Sequence, residues 1–155
     1  MNFPTDKTYH EEKEKVNVVD FAAILTGKEE VPEVDTLDTA LATFQSTNKD
    51  DLKYSVKVTD IDKIKEVSID MGKPHEKGEE KVVAKLYKSK TPSGEVMGKL
   101  CDGTINSQQL KGPLHGKSTK ELVRKIEIGE AYVDILTEDN PNGKVRGKIK
   151  KLKSS

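Results

Sequence analysis

Residues 129 to 147, GEAYVDILTEDNPNGKVRG, alternate apolar and polar side chains with a period of two, reverse direction and return. That period belongs to a strand with one face on a core, because successive strand side chains point to opposite faces. It puts Ala131, Val133 and Ile135 on the core side and Tyr132, Asp134 and Leu136 on the other. Between the two halves, Asn140-Pro141-Asn142-Gly143 offers a fixed φ at Pro141 and easy left-handed backbone at Asn142 and Gly143, as a hairpin turn requires.

The same period recurs upstream. Val19, Phe21, Ala23 and Leu25 alternate along a strand that stops at Thr26-Gly27, and the loop 28–32 follows with Val31 as its one apolar anchor. Further strands are expected at 39–47, 52–59, 64–71, 81–87 and 95–105. On the strand 64–71, Val67, Ile69 and Met71 share one face, and Ser68 and Asp70 share the other. Gly98 marks a bulge or a close approach within the strand 95–105. One helix is expected from about 119 to 128. Ser118-Thr119-Lys120-Glu121 matches a capping box, Leu122, Val123 and Ile126 form its apolar face, and Gly129 is placed to end it. About eight short strands and one late helix predict an all-β antiparallel Greek-key sandwich or barrel.

The chain has 155 residues, enough for one core. An exposed leader is expected over 1–15 and a single β domain over 16–153. Lys and Arg balance Asp and Glu at 27 each, which removes the broad electrostatic argument for nucleic acid. The basic run 144–153 is read as a solvated strand edge and tail, where lysine discourages edge-to-edge pairing and favours a monomer. Cys101 is the sole cysteine, so no intrachain disulfide and no Cys-x-x-Cys motif exist. No apolar run reaches the ~18 residues of a membrane span, and the first twenty residues lack the apolar segment of a signal peptide.

Several strings, taken in order, resemble the CHRD domain, named for its occurrence in the chordin proteins. Residues 21–32, FAAILTGKEEVP, look like the family's opening F-x-A-x-L-x-G-x-x-E-V-P. Leu52-Lys53-Tyr54-Ser55-Val56, Gly103-Thr104-Ile105, Leu110-Lys111-Gly112-Pro113-Leu114, Gly129-Glu130-Ala131-Tyr132-Val133 and residues 140–147 follow, so the likeness runs over roughly 21–149. The resemblance implies an all-β Greek-key fold similar to that of copper-zinc superoxide dismutase, in proteins that are usually exported and often have no assigned activity. Export would require a signal ahead of this sequence, whereas a native start at Met1 would leave the protein in the cytoplasm.

Where many members of that family carry His-Ile-His, this chain has Ser68-Ile69-Asp70, and Leu136 stands where they carry a third histidine. Serine, aspartate and leucine do not reproduce an imidazole site for copper or zinc. Asp70 and Asp134, inferred from the resemblance to face one another on adjacent strands, could hold a hard divalent cation through oxygen, with His75 reaching the same rim. The competing reading pairs Asp134 with Arg146 across the hairpin. His10, His75 and His115 have no metal-ligand spacing from one another, and no nucleophile or phosphate-loop motif occurs. The expected function is therefore a non-enzymatic extracytoplasmic binding or structural module with no cofactor and an unknown protein or cell-surface partner. Its polar face carries Ser68, Asp70, Asp134 and Arg146. The alternative is a metal-binding or metal-dependent redox protein on the same scaffold.

Overall fold

The computed structural model describes residues 19–72 and 81–152. The expected leader, His10 and His75 lie outside the described residues. The elements in chain order are β1 (Phe21–Thr26), β2 (Thr39–Ser46), β3 (Leu52–Asp62), β4 (Ile64–Met71), β5 (Val82–Lys88), β6 (Glu95–Ile105), α1 (Thr119–Glu127), β7 (Ala131–Thr137), β8 (Val145–Lys148) and β9 (Lys150–Lys151). The hydrogen-bonded order is β5-β4-β7-β8-β1-β2-β3-β6, with β9 against β1, and every pairing is antiparallel. Eight strands thus curl into a nearly closed barrel with one short helix, the all-β class that the alternation predicts.

The two end strands, β5 and β6, meet without a ladder between them, and a side chain helps to close the seam. Tyr54 Oη on β3 donates to the Leu86 carbonyl of β5 at 2.9 Å. Gly103 on β6 lies opposite Tyr54 in the register, and a Cβ there would fall 2.7 Å from the phenol oxygen. The connector after β6 adds a second tie, from Lys111 N to Val83 O at 2.8 Å.

Inside, Phe21, Leu25, Phe44, Leu52, Val56, Ile61, Ile69, Val133 and Ile135 belong to one buried apolar cluster. β3 runs past the expected end at 59, because Ile61, fully buried, pairs with Val96 after a register shift. Another shift in the β3–β6 ladder lies between Val56 and Lys57, whose partners are Cys101 and Lys99, and the shift after Val58 begins at its partner Gly98, so Gly98 adjoins a bulge.

Two local expectations change. The capping box at Ser118 does not form: Ser118 makes no side-chain cap, Glu121 pairs with Arg124 at 3.6 Å, and Thr119 N donates to Ser107 Oγ at 3.1 Å. Thr119 is buried and its hydroxyl donates to the Asp50 carbonyl, so docking onto the barrel supplies the partners that a free helix end would take from its own cap. The reciprocal box forms instead at Asn106, which exchanges bonds with Gln108 and Gln109 at the 3-10 turn Ser107–Gln109. In the hairpin turn, Gly143 N donates to Asn140 O, which makes Pro141 and Asn142 the central pair. Of Asn142 and Gly143, only Gly143 has positive φ, at 128°. The helix does end at Gly129 as expected, with Glu130 N on Lys125 O and Gly129 N on Ile126 O.

Replacing Tyr54 by Phe removes the seam bond and leaves the Leu86 carbonyl short of a donor. A loss of about 0.5–1.5 kcal/mol in urea-measured stability is expected, with faster amide exchange along β5.

Candidate functional site

The polar face expected from the sequence is real, and its rows are set by register. Ser68 pairs with Asp134 and Asp134 with Arg146, forming one row across β4, β7 and β8. Asp70, Tyr132 and Lys148 form the next row. Asp70 and Asp134 therefore share a face but are offset by one row, and Ser68 is the residue opposite Asp134. Ser68 Oγ donates to Asp70 Oδ1 at 2.7 Å along β4.

This face is not solvated as the alternation alone suggests. Ser68, Tyr132, Asp134 and Arg146 are all buried, so β7 is covered on both sides. The loop after β1 contributes to the cover, and it does so with a charge. Glu30 is 1% exposed, whereas Val31, the expected apolar anchor, is exposed. Glu30 Oε1 lies 3.8 Å from Arg146 Nε, and Arg146 Nη2 lies 3.4 Å from Asp134 Oδ2. The guanidinium also sits 4.3 Å from the centre of the Tyr132 ring, where the π face attracts it. Gly143 makes room: a Cβ there would stand 2.5 Å from each Glu30 carboxylate oxygen. Further along the loop, Asp38 pairs with Lys144 at 3.8 Å.

Two carboxyls and one guanidinium would leave a buried negative charge. Burial, then the hydrogen bond with Glu30 and its charge, push Asp134 up to about 10 against the opposing pull of Arg146. The raised value keeps Asp134 protonated at neutral pH, with Arg146 facing both carboxyls. Burial likewise pushes the Tyr132 hydroxyl up to about 12, with Arg146 opposing, so it stays neutral. Chemically, the arrangement is a closed ionic latch between the loop and the hairpin.

Its donor set does not fit the copper or zinc centre of a dismutase. Leu136 offers no donor, Ser68 and Asp70 offer oxygen rather than imidazole, and Asp134 already faces a cation. Among the described residues, no three His, Cys, Asp or Glu come together as a metal-holding group. His115 follows the 3-10 turn Gly112–Leu114 and is exposed. Cys101 is no activated nucleophile, because burial pushes its thiol up to about 11. Glu30 is the site residue that the sequence reading missed. The only signals were its place in the Glu-Val-Pro string and a glycine, Gly143, whose second role is to clear its carboxylate.

Arg146→Met leaves two carboxyls facing each other without a cation, and a loss of about 3–5 kcal/mol is expected in urea unfolding at neutral pH. The pH dependence follows from the raised Asp134 value. The folded protein holds a proton that the unfolded chain releases above about pH 4, so this stabilisation is complete below that pH and is lost as pH climbs towards about 10. Its slope is at most ~1.4 kcal/mol per pH unit. Asp134→Asn should flatten the decline, so the variant gains on the wild type between about pH 6 and pH 9.

A family model described as the CHRD domain matches residues 21–149. No curated protein and no solved structure matches the chain. The matched span begins at the first residue of β1, runs through both sides of the latch and ends one residue past β8, leaving only β9 and the flanking segments outside. With nearly the whole barrel inside the match, the chain belongs to the CHRD domain family.

Proposed function

We propose that this chain is a non-catalytic CHRD module that works outside the cytoplasm, as a rigid frame presenting surface to a protein or cell-surface partner. The observation that carries the reading is the latch itself. Glu30, Asp134 and Arg146, at 1%, 2% and 3% exposure, are turned towards one another, so these charges hold a loop on the barrel rather than meet a substrate. Family membership supports the extracytoplasmic setting, and no helix among the described residues is long and apolar enough to cross a membrane. The same reading takes the frame as a Greek-key barrel similar to that of copper-zinc superoxide dismutase, used here for structure.

A second reading, an oxygen-ligand metal site at Asp70 with Asp134 and His75, draws support from the face that Asp70 and Asp134 share. Metal analysis of protein purified without chelator, followed by calorimetric titration with Cu(II), Zn(II) and Ca(II), separates the two. The module reading expects no stoichiometric binding of any of these ions. Tight binding at one ion per chain that disappears in Asp70→Ala would overturn it and establish the metal site.

A further inference from the structure

Among the described residues, the outer face of β1 and β2 is where large apolar side chains pair across a ladder in the open. Ile24 and Leu41 are register partners and are 69% and 40% exposed. They are not at a sheet edge, since β1 is flanked by β8 and β9, and β2 by β3. Leu152, tied through its amide to Asp20 O, is exposed close by. Ala22, Ile24 and Leu152 form the apolar part of a cleft of about 370 Å³ whose other walls are Lys148, Lys150 and Glu29. On the far side, Leu41 pairs with the exposed Lys57. The strip is thus apolar along its centre with lysines on both sides.

The same chain carries a surface of the opposite kind. In the segment 33–38, Leu37 is 98% exposed, and Glu33 and Asp35 are exposed beside it. None of the ion pairs among the described residues engages Glu33, Asp35, Lys148 or Lys150. The latch holds the start of this loop against β8 through Glu30, and Asp38 holds its end through Lys144, so Leu37 is carried on a fixed support.

From this charge and apolar complementarity we infer that the lysine-rimmed strip at Ile24, Leu41 and Leu152 receives the Leu37 loop of a second copy of this chain. Two such contacts related by a two-fold axis make a closed, self-complementary dimer, since each copy offers one strip and one loop. Lys148 and Lys150, which the sequence suggested as guards of a solvated edge, become half of an interface. The inference stands apart from the module reading, because a dimer is compatible with metal binding or with its absence.

Sedimentation equilibrium of the full chain at moderate salt tests it, with circular dichroism to confirm that every variant is folded. One variant carries Lys148→Glu and Lys150→Glu, the other Glu33→Lys and Asp35→Lys. The wild type is expected to dimerise, and each variant alone to weaken the dimer at least tenfold. An equimolar mixture of the two should recover the dimer, because both contacts are again between opposite charges. Leu37→Ser, at a fully exposed position, should also weaken the wild-type dimer. A wild type that stays monomeric up to several hundred micromolar overturns the proposal. So does a dimer indifferent to these changes, or a mixture that fails to associate when both variants are folded.

Discussion

The burial of one guanidinium holds together the parts of this barrel that lie far apart in the chain. Arg146 enters the structure on β8, Asp134 faces it from β7, and Glu30 reaches it from the loop after β1. A buried charge costs several kcal/mol unless it is paired, and two carboxyls around one guanidinium leave an excess that protonation of Asp134 removes. With the three groups turned towards one another, the loop has a fixed place, β7 is covered on its outer side, and Tyr132 packs under the guanidinium. The open positions of Val31 and Leu37 follow from the same arrangement, because the carboxylate and not the valine anchors the loop.

The opposite side of the barrel is solved by packing. β5 and β6 do not share a ladder, and the gap is bridged from β3 by the Tyr54 hydroxyl, with Gly103 opposite leaving space for the ring. The connector that follows β6 ties back to β5, and the helix then docks through Leu122 and Ile126 before delivering the chain to β7. β7 thus arrives beside β4, and β8 then pairs with its other edge.

The alternation of small apolar and polar residues made the strands legible almost to the residue, as in Ala131–Thr137 and Glu95–Ile105. It also showed that Ser68 shares a face with Asp70, and the hairpin offered the pairing of Asp134 with Arg146 that the register bears out. It could not show that this face was covered, because a period of two says which side chains point together and nothing about what lies over them. Val31 was misread for the same reason. A lone apolar residue between charges looks like an anchor, and only the position of Arg146 explains why Glu30 is buried in its place. The Ser118 capping box failed because Ser107 and Asp50, distant in sequence, supply the helix start with its partners.

What the sequence determined by itself was the all-β class, the hairpin of β7 and β8, the end of the helix at Gly129 and the likeness to the CHRD domain. All of these rest on local periodicity, turn chemistry and short strings. What only the tertiary structure decided was the fate of the charges: Asp134 protonated against Glu30, Arg146 shared between them, and Ile24 and Leu37 left in the open. Burial and pairing depend on segments separated by a hundred residues of chain, and the energy of a charge is set by those distant neighbours rather than by the residues on either side of it.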